Sequence, residues 1–193
     1  EVLLAELCIS KFQNLIRWNT SNQCWMIFND DSGLWEAKDE KPIIEMIRLV
    51  LDEIRQLEAQ MIMSNGLSRA SRIRDIERAS RASFIKGTHG LMSSYSTIHI
   101  KAFEFDANKL LVGLQDGQCL NLENCEVRKI QSSDFLTKRL GCKFDPEAST
   151  EYWQGLVFQW ACEDKELAQF LQVWAGYSLS GLTTEQAFLF LYG

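Results

Sequence analysis

The sequence predicts an α+β protein: an N-terminal helix, a β-hairpin and helices, a central β-meander, then a C-terminal helical pair and a terminal strand. Three observations carry this. Apolar residues recur at three- and four-residue steps over several long stretches. Short runs of branched and aromatic residues are separated by turn signals such as Asn29-Asp30-Asp31-Ser32-Gly33 and Asp116-Gly117. The composition, 46% hydrophobic with two prolines in 193 residues, belongs to a chain that can bury a core.

Leu3, Leu4, Leu7, Cys8, Phe12, Leu15 and Ile16 mark one face of a helix over about 2–17. Residues 23–29 and 33–37 read as a hairpin carrying Trp25, Phe28 and Trp35. Such aromatics either stack bases or face the core, and the core is the preferred reading. Pro42 fits a first helical turn, and Ile43, Ile47, Val50, Leu51, Ile54 and Met61 keep helical spacing to about Met63, with Asn65 or Gly66 as the left-handed stop. The next stretch, 67–86, reads as one helix with Leu67, Ala70, Ile73, Ile76, Ser80 and Phe84 on one side. His89 falls in a loop-like stretch and His99 in an alternating, extended one. Strands follow at about 109–114, 117–122 and 126–130, with a further one around 138–144 before the Asp145-Pro146 breaker. Thr150–Cys162 carries an aromatic helical stripe, Asp164 can cap a helix over 165–178, and 184–192 reads as the terminal strand. The 165–178 helix, through Leu167, Phe170, Leu171 and Trp174, is expected to join the domain's own core.

The net charge of −6 hides an asymmetry. Residues 65–101 form a basic island in an acidic chain. Arg74, Arg78 and Arg81 follow an i, i+4, i+7 row there, flanked by Arg69, Arg72 and Lys86. These six are the candidate nucleic-acid residues, since arginines on one helix face neutralise phosphates and release counterions. A subunit contact and a solvated face paired with Asp75 and Glu77 remain the alternatives.

Other chemistry is sparse. The six cysteines form no C-x-x-C pair, and neither histidine sits at ligand spacing from one, so reduced thiols without metal are expected. The sequence has no nucleophile elbow, zincin motif, dinucleotide fingerprint or phosphate loop. Asp106 and Asp116 are the most suggestive acids, and turn roles explain both more simply. No run approaches the roughly 20 apolar residues that span a bilayer. The N-terminus lacks a signal-peptide pattern, and it opens on Glu, as an excised piece would. A cytoplasmic protein without membrane contact is expected.

Three blocks carry a family resemblance. The first is Phe105-Asp106, Leu110 to Leu114, Gly117 and Leu120-Asn121-Leu122. The second is Thr137-Lys138 with Phe144-Asp145-Pro146-Glu147-Ala148. The third is Phe170-Leu171-Gln172, Gly176-Tyr177, Leu179, Gly181, Glu185-Gln186 and Leu191-Tyr192-Gly193. In order and spacing they resemble the domain found just before the superfamily 3 helicase core in phage and plasmid primase–helicases, and in the related poxvirus replication ATPase. Residues 1–102 match only in the order of elements, and Gln115-Asp116-Gly117 stands where the family has an Asn-Gly step.

The resemblance implies a DNA replication role: an accessory domain assisting ring assembly or DNA engagement. It implies as partners the helicase core of the same polypeptide, further copies in a ring, and DNA. ATP and Mg²⁺ are implied for that core, whose phosphate loop would follow the Tyr192-Gly193 step. No catalytic site, cofactor or ATPase activity is expected in this fragment. The implied division is a helical and hairpin part over 1–102, a helicase-preceding domain over 103–183, and a first core strand over 184–193. The alternative is a protein-interaction or oligomerisation module without DNA contact.

Overall fold

The computed structural model describes residues 1–65 and 70–190, and side chains outside 62–72. The protein is α+β, with two sheets. Two compact units divide it: residues 1–29 with 35–105, and residues 30–34 with 106–193.

The first unit begins with α1 (Val2–Phe12). The helical pattern through Leu15 and Ile16 is overridden. The Leu15 N–H donates to the Phe12 carbonyl, and Ile16–Asn19 becomes strand β1. The reason is tertiary, because β1 is hydrogen-bonded on both sides. It runs antiparallel to β2 (Cys24–Asn29), with Trp18 opposite Trp25, and parallel to β4 (His99–Ile100). With β3 (Leu34–Lys38) the order is β3-β2-β1-β4. The extended segment expected around His99 contributes only the two residues of β4, between 3₁₀ turns at Ser96–Ile98 and Ala102–Glu104.

Helix α2 (Lys41–Asn65) starts where Asp39 Oδ1 accepts the Lys41 N–H at 3.1 Å. Pro42 follows in the first turn, where a missing N–H costs nothing. Two helices replace the single one expected over 67–86: α3 (Ala70–Ala79) and α4 (Ala82–Met92). Leu67 and Gly66 lie outside the described residues. The His89 stretch is not a loop but the last turns of α4.

One core joins these elements. Leu4, Ala5, Cys8 and Ile9 of α1, Ile43, Ile47, Val50 and Leu51 of α2, and Ile85 and Met92 of α4 close over Ile16 and Trp25. The hairpin aromatics face inward: Trp35 is 1% exposed, with Phe28 and Phe105 rings at 5.7 and 6.1 Å and the Arg17 guanidinium 5.5 Å above it. Burial pushes the Cys8 thiol up to about 11, so it is an apolar core residue and not a nucleophile. Trp25 Nε1 donates to His89 Nε2 at 2.8 Å, which requires a neutral imidazole with its proton on Nδ1.

The second unit holds the meander β5 (Leu111–Gly113), β6 (Gln118–Asn121) and β7 (Glu126–Lys129), antiparallel throughout. Gly117, at φ +74°, makes the β5–β6 turn. The strand expected around 138–144 is absent. That segment runs beside β5 but makes single bonds, Leu140 N–H to the Gly113 carbonyl and Gln115 N–H to Cys142, without a continuing ladder. Helices α5 (Glu151–Trp160) and α6 (Lys165–Leu179) follow. Asp164 caps α6, accepting from the Glu166 and Leu167 N–H groups.

Two expectations fail here. Helix α6 buries no residue fully; Phe170, Val173 and Leu179 are exposed, as are Tyr152, Trp153 and Trp160 of α5. The strand expected at 184–192 does not form over 184–190, which joins neither of the two sheets. Residues 191–193 lie outside the described part. Among the described residues, no helix is long and apolar enough to cross a membrane.

Truncating Trp35 to Ala is expected to cost about 3–5 kcal/mol in urea unfolding, as for a large buried aromatic. Burial lowers the His89 pKa below 6.5, outweighing the opposing pull of Glu40. The unfolded chain therefore binds that proton more tightly than the folded one, and stability falls as pH drops through and below 6.5. His89→Gln, which keeps an acceptor but does not titrate, should flatten that slope in urea midpoints measured from pH 7.5 to 5.

Candidate nucleic-acid interface

The basic island is a helix–break–helix. Ser80 closes α3 by donating its N–H and hydroxyl to the Ile76 carbonyl at 3.0 and 2.7 Å. Arg81 then turns extended (φ −70°, ψ 142°) and becomes the N-cap of α4, its carbonyl accepting from the Phe84 and Ile85 N–H groups. Ser80 thus competes for local backbone bonds, as mid-helix serines do. The break removes Arg81 from the predicted i, i+4, i+7 row. Arg74 and Arg78 remain four apart on α3, Arg81 stands in the break, and Lys86 follows on α4; all four are exposed. Arg69 and the side chain of Arg72 lie outside the described residues.

Among the described residues Arg78, Arg81 and Lys86 make no ion pair, although Asp75 and Glu77 share α3. Arg55 of α2 escaped the sequence reading. It pairs with Asp52 at 2.6 Å and also donates to Ser80 Oγ, tying α2 to the break. Helical spacing within one stretch gives no sign of such a link between two.

In the second unit Asp106 has more than a turn role. It adopts the left-handed conformation at φ 51°, and its N–H donates to the Phe135 carbonyl at 3.0 Å. Its carboxylate accepts both the N–H (2.8 Å) and the hydroxyl of Thr137. Nearby, Arg128 forks onto Asp134 with two bonds of 2.7 Å, and the Gln131 N–H adds a third at 2.8 Å. Burial works to raise the Asp134 carboxyl, but these donors prevail and hold it below the ordinary carboxylate range. Asp106 and Asp134 are thus both spent on holding 131–137 in place. Asp116 serves the β5–β6 turn.

All six cysteines are free thiols, and among the described residues no three metal-ligating side chains converge. Asp106→Ala is expected to lose about 3 kcal/mol in urea unfolding, from the broken bonds to a carboxylate and from Ala in a left-handed conformation. Asp106→Asn should lose less than half of that, because Asn tolerates this conformation and still accepts a bond.

No curated protein matches the chain. A family described as D5 N terminal like matches residues 5–160, which is most of the chain and includes α3, α4, the meander and the Asp106–Thr137 pair. The chain therefore belongs to the D5 N-terminal-like family, the N-terminal domain of D5-like phage and poxvirus primase–helicase proteins.

Proposed function

We propose that this chain is an accessory domain of a phage- or plasmid-type DNA replication primase–helicase, and that it engages DNA through the α3–α4 face. The observation that carries the reading is the set Arg78, Arg81 and Lys86, exposed and, among the described residues, without carboxylate partners, beside the exposed Arg74. Cations already paired would have to break those pairs to meet a phosphate; these three do not. Because Arg81 stands off the helix, the charges follow a bend and not a straight stripe. That arrangement suits the sequence-independent neutralisation of a phosphate backbone. The sequence has no glycine-rich phosphate loop. ATP and Mg²⁺ are accordingly assigned to the helicase core of the same polypeptide, and on this reading the full protein works as a cytoplasmic ring of identical copies.

A second reading, an oligomerisation module, has its own observation. Tyr152 (83% exposed) and Trp160 (60%) of α5 and Val173 (65%) of α6 present large apolar surface. The alternatives separate in one pair of measurements. Under the first, a labelled oligonucleotide binds and the Arg74→Glu, Arg78→Glu, Arg81→Glu variant binds more weakly. Its salt dependence should be shallower by about two in log–log slope, from three lost contacts on a single strand. Binding unchanged by the triple substitution would remove the assignment of DNA to this face. Concentration-dependent sedimentation with no oligonucleotide binding would favour the oligomerisation module.

A further inference from the structure

We propose that the second unit holds its own phosphate site, a cleft lined by Lys109, Lys138 and Arg139 that grips the backbone of a nucleic-acid strand. The proposal rests on the nucleic-acid reading above but uses none of its residues. The cleft, about 270 Å³, lies between the 106–109 turn, strand β5, the 136–140 segment and the end of α6. This is just below the range of pockets that hold whole small molecules, about 300–1,000 Å³, and suits a phosphate with its sugar.

The charge is out of keeping with its surroundings. In this unit acidic side chains outnumber basic ones by fourteen to seven, yet three of the seven basic side chains line one cleft. None of the three is ion-paired among the described residues. Lys109 Nζ donates only to the Asp106 carbonyl (2.9 Å), Arg139 Nη1 only to the Gln115 carbonyl (3.0 Å), and Lys138 to nothing. The one carboxylate in the lining, Asp106, is already bonded to Thr137. A polyanion is repelled by most of this unit and drawn to this cleft. Leu111, Leu136 and Leu140 supply an apolar wall for sugar and base edge.

The cleft is also held in shape. Asp106 clasps Thr137, and the Leu140 N–H donates to Gly113 at 2.8 Å, so Lys138 and Arg139 sit between two anchors. Gly113 allows that approach: a Cβ there would stand 2.6 Å from the Lys138 carbonyl oxygen. The Gly181 N–H donates to the Lys109 carbonyl at 2.8 Å, and a Cβ at 181 would strike the Lys109 side chain at 2.8 Å. Asp106, Thr137-Lys138 and Gly181 come from three separate stretches of sequence and meet here. Cations held in place before binding lose less freedom on meeting a phosphate.

The test is fluorescence anisotropy of the full 193-residue chain with a labelled oligothymidylate across a salt series. Lys138→Glu, which breaks no bond, and the pair Lys138→Glu, Arg139→Glu are set beside the α3–α4 triple variant. A control, Lys38→Glu with Lys41→Glu, matches the charge change of the pair. The expected result is at least a fivefold loss for the cleft pair and a smaller loss for Lys138→Glu alone, with urea midpoints near wild type for the latter. The salt slope of the pair should fall by about 1.4 for two contacts on a single strand. Wild-type affinity in Lys138→Glu and in the pair overturns the cleft, and a loss from the control as large as from the pair overturns it equally. If only the triple variant binds weakly, the α3–α4 reading survives without the cleft; if only the cleft variants do, the reverse holds. A labelled nucleoside triphosphate that binds, in a Lys138-dependent way, where the oligonucleotide does not would overturn the strand assignment.

Discussion

Strand β1 is the constraint on which the first unit depends. It is paired on both edges, to β2 antiparallel along all four residues and to β4 parallel at Trp18 and Asn19. Ile16 is fully buried at its start and Asn19 nearly so at its end. The Asn19 carboxamide oxygen accepts the Ser21 and Asn22 N–H groups, turning the chain toward β2. Thr20 extends the contact with Ile100, so a segment eighty residues downstream is fixed beside the first strand. Helix α1 can then end early, because the backbone groups it gives up are satisfied in the sheet. Helices α1, α2 and α4 pack on the surface so created, and α3 is carried with Arg74 and Arg78 exposed.

Buried polar contacts settle what apolar packing leaves open. Trp25 and His89 satisfy each other inside a mostly aliphatic core, where either alone would carry an unpaired polar atom. In the second unit the same logic is spread along the chain. The strands of the meander are short, three or four residues each, and cannot define the long irregular segment after them. The Arg128–Asp134 fork and the Asp106–Thr137 pair define it instead. A carboxylate that accepts a backbone N–H and a hydroxyl at once fixes both position and direction, which a leucine contact does not. The basic side chains beyond Thr137 inherit that order.

The C-terminal helices follow another rule. Their aromatic stripe has regular helical spacing, and Trp153 and Trp160 meet edge to face at 6.3 Å. Yet only Val157 of α5, with Ala161 just after it, is buried. Two amphipathic helices joined by four residues can cover each other along one line only, which leaves the rest of each broad apolar face open.

Sequence alone determined what depends on neighbours within a few residues. The long helix from Lys41, the meander with its Asp116-Gly117 turn, the Asp164 cap and the inward-facing hairpin aromatics all rest on local spacing or turn chemistry, and so did the α+β class. The blocks around Asp106, Thr137 and Gly181 carry the family resemblance in the sequence itself. Tertiary structure decided wherever distant segments compete for the same backbone. It made Ile16–Asn19 a strand against its helical pattern, because partners on both edges outweigh local propensity. It broke the arginine helix at Ser80, where Arg55 arrives from α2. It left α6 outside the core, since the spacing of apolar residues fixes which face is apolar but not what covers it. And it brought Lys109, Lys138 and Arg139 to one cleft, because charges separated by thirty residues become neighbours only through bonds such as the one from Asp106 to Thr137.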